Sequence, residues 1–341
     1  MICVDRPLCL IVNPAAGSGR ARALVPPARS ALATAGTDHR VVESTSLPHA
    51  RELAADAAGR GEVIVAVGGD GMAGALADIA AASGACLGII PAGRGNDLAR
   101  VLRIPVDPAA AARVLATGRQ RQIDLIAAST PGQPRLIAVG SVYAGIPAVA
   151  GLIANATRWL GGSLVYSVAA LRALASWRPA TFAVEVAGAG GQEFDGYAVV
   201  IANSAFFGAG MQVAPPAVID DGVLDLVLMR HAPKITFARA LLKIKDGSHT
   251  SLPQISLHRA TDVTITMSRD LPAAADGEPL PWATPLPAGT PLRIRALPAA
   301  LTVLAPAGLP SGSALPRLDD AVAGQVRTRC TADPRAASAS R

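Results

Sequence analysis

Aromatic residues make up only 3% of this chain, so its core has to be packed from Val, Leu, Ile and Ala. No run interleaves basic residues with the aromatic platforms on which single-stranded nucleic acid stacks, so no nucleic-acid partner is expected. Lysine is scarce as well. Lys234, Lys243 and Lys245 are the only three, and arginine carries the rest of a formal charge of +6. A basic balance suits an anionic membrane or phosphate groups, although an Arg- and Ala-rich composition by itself accounts for most of it. Cysteine is limited to Cys3, Cys9, Cys86 and Cys330, with no C-x-x-C and no histidine at zinc spacing. That excludes a zinc motif and fits inert thiols in a reducing compartment. A long apolar run is missing too. The best candidate, Val142 to Thr157, is short and is interrupted by Gly145, Pro147 and Gly151. A spanning helix is therefore not expected. Asp5 precedes an apolar run that starts at Leu8, which leaves no room for a secretory signal. The expected location is cytoplasmic, with peripheral membrane contact.

What is present is length. The 341 residues exceed one ordinary core and suffice for two domains and a tail. From residue 8 to about 117, strands and helices alternate. Leu8–Val12, Arg40–Glu43, Val63–Val67 and Leu87–Ile90 read as strands, and Arg20–Ala33, Leu47–Ala58 and Met72–Ala82 as helices. Continuous apolar strands separated by helices indicate a parallel sheet covered on both faces. After Asp124 the segments Thr181–Val186, Tyr197–Ala202, Leu224–Leu228 and Val263–Met267 read as strands joined by Gly- and Pro-rich turns. A helical hairpin over about 148–176 interrupts them. The fold class is α/β plus β. An α/β domain covers 1–124, completed by a late segment near 292–305. A mainly β domain covers 125–291. Residues 306–341 have the composition of a solvated tail.

Three Gly-rich turns follow strands of the first domain, and a parallel sheet brings all three to its carboxyl edge, where such sheets bind ligands. The first is Asn13-Pro14-Ala15-Ala16-Gly17-Ser18-Gly19. It lacks the G-K-[ST] ending of a P-loop and fails G-x-G-x-x-G, because Arg22 stands where the third glycine belongs. A dinucleotide oxidoreductase is disfavoured accordingly. The second is Gly68-Gly69-Asp70-Gly71, whose glycines suit a backbone cradle for a triphosphate. Asp70 is poorly suited to direct contact with phosphate oxygens and better suited to Mg²⁺ or to orienting a donor. The third is Pro91-Ala92-Gly93-Arg94-Gly95-Asn96-Asp97. Plain turns with capping acids are the alternative for each, and their convergence is more informative than any one of them.

N-P-x-x-G, G-G-D-G and P-x-G-x-x-N-D-x-A-R in this order resemble the catalytic domain of the diacylglycerol kinase family, which includes soluble bacterial lipid kinases and sphingosine kinases. Asn203 to Pro215, Asp221 to Leu226 and Asp276-Gly277-Glu278 resemble signatures of the family's second domain. The likeness runs from about residue 8 to 305. It implies an NAD kinase- and phosphofructokinase-like nucleotide domain, a β-sandwich domain, and an active site in the cleft between them. It further implies ATP and Mg²⁺ as cofactors and a membrane lipid as substrate, diacylglycerol first. ATP would be held by Asn13, Pro14, Ala15, Ala16 and Gly17, by Gly68, Gly69, Asp70, Gly71, Met72 and Gly74, by Arg94, Asn96 and Asp97, and near Thr45. Glu278 would be the catalytic base, with Asp276 and Asp70 beside it. Asp221, with the carbonyls of Val218 and Val223, would hold a divalent cation.

Two positions depart from the family pattern: Met72 and Arg94 stand where threonines are usual, so two hydroxyls near phosphate are missing. Without the resemblance, Asp276-Gly277-Glu278 reads as a hairpin turn. In an extended strand the two carboxylates would share a face, and spacing cannot choose between them. An NAD kinase-like enzyme and a lipid-binding protein on a decayed kinase scaffold are the competing readings. Homodimerisation is left open. Lys234 to His249 gathers all the lysines around Phe237, Leu241 and Leu242 and is the expected membrane contact, a solvated helix being the alternative.

Overall fold

A computed structural model of the chain describes residues 6–156 and 164–308. The first domain comprises β1 (Leu8–Val12), α1 (Ala21–Thr34), β2 (His39–Glu43), α2 (Leu47–Gly59), β3 (Val63–Gly68), α3 (Asp70–Ser83), β4 (Cys86–Pro91), α4 (Asp97–Val101) and α5 (Pro108–Thr117). Strands β1, β3 and β4 are buried along their whole length, which is why they read as unbroken apolar runs. They pair in parallel, in the order β2-β1-β3-β4, with Leu8 opposite both His39 and Val63 and Ile64 opposite Leu87. Helix α1 packs on α5 and α2 on α3, covering the sheet. Ser46 and Asp107 start α2 and α5 by accepting the N–H groups of His49 and Ala110, each with a proline in the first turn.

The second domain contains β5 (Arg119–Ser129), β6 (Leu136–Ala138), β7 (Ser141–Gly145), α6 (Ile146–Ala156), α7 (Leu164–Ser176), β8 (Ala180–Val186), β9 (Gly190–Ala202), β10 (Phe206–Phe207), β11 (Met211–Gln212), β12 (Leu224–Arg230), α8 (Lys234–Lys243), β13 (Ile255–Ala260), β14 (Asp262–Met267), β15 (Ala273–Ala275), β16 (Glu278–Pro279) and β17 (Leu292–Ala305). These strands pair antiparallel to one another. Long β9 is shared, its first half with β8 and its second half with β7, while β12 runs along its other side.

Strand β17 links the two domains. Its first half pairs with β14 and β5; its second half pairs in parallel with β4, Thr302 opposite Cys86. Residue 124, where the composition changes, falls in the middle of β5 because both halves of that strand pair with β17. The register of β17 shifts between Leu297 and Leu301, and buried Asp124 holds that irregularity: one carboxylate oxygen accepts Ala299 N–H at 2.7 Å, the other Gly222 N–H at 2.6 Å. The expected tail lies, from residue 309 onward, outside the described residues, as does the connection at 157–163.

Two cores result. The first domain's core contains Leu, Ile, Val, Ala, Met and Cys and no buried aromatic among the described residues. The few aromatics are placed in the second, where Tyr143, Phe182 and Tyr197 are fully buried. Among the described residues, no helix is long and apolar enough to cross a membrane.

The three glycine turns meet at the carboxyl edge with almost no space between their backbones. A methyl at Gly17 would lie 2.5 Å from the Ala92 carbonyl oxygen, and one at Gly93 2.4 Å from Gly69 Cα. Gly71, by contrast, has nothing within 4 Å of that point. Gly93→Ala should force the second and third turns apart and cost about 1–3 kcal/mol. Gly71→Ala should leave the thermal midpoint unchanged or slightly raised, since alanine favours a helix. Thermal denaturation of both variants checks this.

Candidate active site

Asp70 begins α3, with Gly69 in the cap position. Its carboxylate does not cap its own helix; it accepts the N–H of Leu98 at 3.3 Å and so joins the second turn to the third. Asn96 stands at φ +53° and closes its own turn, accepting Gly93 N–H at 2.8 Å and donating to Gly93 O at 3.1 Å. Asp97 reaches across to the second domain. Its two oxygens accept Ala209 N–H at 3.0 Å and Gly210 N–H at 2.7 Å, on the turn between β10 and β11. Burial pushes the Asp97 carboxyl above its ordinary range, and the nearby Asp70 charge adds to that, while the two N–H groups pull it back.

Asp276 and Gly277 form the two-residue turn between β15 and β16, with φ of +47° and +89°, and Ala275 faces Glu278 across it. The Asp276 carboxylate is turned inward. It accepts three successive backbone N–H groups, of Val139 at 2.7 Å, Gly140 at 2.8 Å and Ser141 at 2.9 Å. Burial raises its pKa, the three N–H groups lower it, and the Asp70 charge raises it again. Glu278 lies past the turn on exposed β16. The hairpin thus separates two carboxylates that spacing could not distinguish: Asp276 is consumed in holding backbone, and Glu278 faces open space. Asn203, which begins one of the signature segments, has a structural role that the sequence did not reveal. Fully buried, it donates to the carbonyls of Asp124 and Val139 and fixes the other side of the loop that Asp276 holds.

A cavity of about 530 Å³ starts at these groups. Asp70, Gly71, Gly74, Arg94 and Asp97 line one end, with Asp276 and Glu278. From there it continues into the second domain between Ile146, Ala150, Phe207, Met229, Phe237 and Leu241. A ligand lying in it has charge at one end and hydrocarbon surroundings at the other.

The remaining sequence candidates are placed as follows. Ala15 and Gly17 line the cavity; Asn13 does not, and its side chain accepts Ala15 N–H to shape the first turn. Pro14 and Ala16 belong to that turn, and Gly68 and Gly69 to the second. Thr45 is exposed beyond edge strand β2, paired with His49 and away from the cavity. Met72 is 2% exposed and packs beneath Gly68, so its side chain is core and is not available to a nucleotide. Arg94 is exposed on the cavity wall.

The loop of Val218, Asp221 and Val223 lies outside the cavity, with only Ile219 reaching it. Asp221 accepts Val223 N–H at 3.1 Å and forms an ion pair with Arg259, while Asp220 pairs with Arg121 at 2.7 Å. Next to them, one oxygen of buried Asp225 has no partner. No group of three His, Cys, Asp or Glu side chains among the described residues is arranged to hold a metal ion.

Comparison with known proteins agrees with this architecture. Residues 7–128 match the diacylglycerol kinase catalytic domain, and residues 140–305 match the YegS C-terminal NAD kinase beta sandwich-like domain. A diacylglycerol kinase of Mycobacterium tuberculosis is 32% identical over 300 residues, covering 87% of this chain and 94% of that one. A Stenotrophomonas maltophilia protein named "Probable lipid kinase YegS-like" is 29% identical over 261 residues, 73% of this chain and 80% of that one. A solved diacylglycerol kinase from Bacillus anthracis shares the fold at a TM-score of 0.67 and 19% identity, covering 90% of this chain and 98% of that one. A parallel α/β domain and a β-sandwich domain closing on an acidic cleft define a two-domain lipid kinase. The chain belongs to the diacylglycerol kinase family.

Asp276→Ala should destabilise the protein by at least about 1–3 kcal/mol, the cost of leaving a buried donor unpaired, because three N–H groups lose their acceptor. Glu278→Ala, on an exposed strand, should leave the denaturation midpoint unchanged. Urea unfolding of the pair checks the separation of the two carboxylates.

Proposed function

We propose that the chain transfers the γ-phosphate of Mg-ATP to a lipid hydroxyl, with diacylglycerol converted to phosphatidic acid as the leading case. The cavity carries this reading. Its glycine turns suit a phosphoryl group, its carboxylates suit the divalent cation that accompanies one, and its apolar remainder suits an acyl chain far better than a soluble substrate such as NAD. Sphingoid bases, phosphatidylglycerol and glycolipids share that chemistry and are the alternative substrates.

The turns fit a nucleotide because glycines on the cavity wall let a ligand approach the backbone, Gly17 at φ +60° and Gly71 with nothing within 4 Å of its missing side chain. ATP, when bound, supplies the phosphoryl group, and Mg²⁺ supplies positive charge that an acidic cleft otherwise lacks. Arg94 adds a guanidinium at the phosphate end. Asp70 fixes the relation of the second and third turns, and its carboxylate would hold Mg²⁺. Glu278 takes the proton of the lipid hydroxyl as the hydroxyl oxygen bonds to the γ-phosphorus and the bond from that phosphorus to the ADP oxygen breaks, ADP leaving. Asp276 positions the turn that carries Glu278.

The oxygen-only donors of Asp221, Val218 and Val223 suit a second divalent cation, Mg²⁺ or Ca²⁺, and beside them one oxygen of Asp225, a carboxyl whose pKa burial pushes up to about 6 against the pull of Arg259, has no hydrogen-bond partner. Arg259 competes for Asp221. Calorimetry should therefore show tighter cation binding for Arg259→Ala and lost binding for Asp221→Ala; equal affinity in wild type and Asp221→Ala would leave the loop as a turn only.

Labelled ATP, Mg²⁺ and a panel of these lipids plus NAD should give labelled product in a lipid alone. Glu278→Gln should lower kcat by about 10²–10⁴-fold with little change in ATP affinity. Asp70→Asn should lower turnover by orders of magnitude in a folded protein. Near wild-type turnover in Glu278→Gln removes the base assignment, and label in NAD removes the lipid reading.

A further inference from the structure

The apolar part of the cavity reaches the surface at α7 and α8. Leu171 and Leu242 line it, and they are also 50% and 79% exposed. The outer faces of these helices differ from the rest of the surface. Six large hydrophobic side chains are exposed among the described residues, and four of them are here: Val168 and Leu171 on α7, Ile235 and Leu242 on α8. Separations of three and seven residues put each pair on one helical face. Every lysine of the chain lies beside them, Lys234 and Lys243 on α8 and Lys245 just after it, with exposed Arg172 and Arg239. Asp246 is the one acid within α8 and the turn that follows it. Lys234 Nζ donates to the Ala175 carbonyl at 2.7 Å and ties the start of α8 to the end of α7.

We propose that this face docks on an anionic membrane surface, so that the cavity takes the lipid's hydrocarbon tail from the bilayer at the place where the protein touches it. Exposed aliphatic side chains enter the headgroup boundary, and the surrounding lysines and arginines meet the lipid phosphates. The charge argues for an anionic membrane and against a second copy of the chain, since two such basic faces repel. The cargo rests on the lipid-kinase reading; the docking does not.

Val168 and Ile235 are exposed and do not line the cavity, so they test the surface without touching the substrate site. Sedimentation with phosphatidylcholine vesicles, with and without phosphatidylglycerol and at low and high salt, reads the docking. Wild type should bind the anionic vesicles and be released by salt. Val168→Glu combined with Ile235→Glu should weaken that binding by about tenfold or more, as should Lys243→Glu with Lys245→Glu. Both variants should keep wild-type turnover of a short-chain lipid dispersed in detergent. Vesicle binding without phosphorylation of any lipid leaves the docking standing and removes the kinase reading. Wild-type binding indifferent to anionic lipid and salt, or variants that bind and turn over vesicle lipid like wild type, overturns the docking.

Discussion

The cleft depends on one half-buried carboxylate, that of Asp276, accepting three consecutive backbone N–H groups. Asp276 is otherwise an unfavourable residue to bury, since removing a carboxylate from water without partners costs several kcal/mol. The amides of Val139, Gly140 and Ser141 offset that cost, and in doing so they fix the direction of the β15–β16 turn. Glu278 owes its placement on the cavity wall to this. Asn203 pulls on the same loop from the opposite side through Val139, so the loop is held between a buried amide and a half-buried carboxylate.

The two domains are joined by backbone, and this keeps the cleft in register. Strand β17 belongs to both sheets, β5 accompanies it across the junction, and Asp124 fastens the irregularity where β17 passes from one to the other. Asp97 makes a second link across the cleft to the turn at Ala209 and Gly210. The acids at the cleft influence one another. Burial raises the pKa of both Asp97 and Asp276 and the Asp70 charge adds to it, which is the electrostatic condition under which a cation and the Arg94 guanidinium are favoured there.

Much of this was legible in the sequence. Strands covered on both faces read as unbroken apolar runs, and the Gly-rich turns after them, Asn13–Gly17, Gly68–Gly71 and Pro91–Asp97, meet at the carboxyl edge of the sheet as expected. The three glycine turns in chain order, with Asp276-Gly277-Glu278 far downstream, sufficed to indicate the family. Less legible was the crossing of β5 and β17 between domains, because a strand that changes partners midway carries no periodic signal of the change. Met72 shows the same limit. A missing hydroxyl could be read from sequence, but that the side chain lies in the core beneath Gly68 could not.

The sequence alone thus determined the class of fold and the family, since both rest on properties read along the chain: apolar period, glycine, and the order of motifs. Tertiary structure decided which of two carboxylates two residues apart is free, since a pair of positive-φ residues reverses the chain between them. It also decided that the acidic cleft continues into an apolar cavity, and that this cavity surfaces where lysines and exposed aliphatic side chains share two helices. Those are relations between residues far apart in the chain, and only packing brings them together.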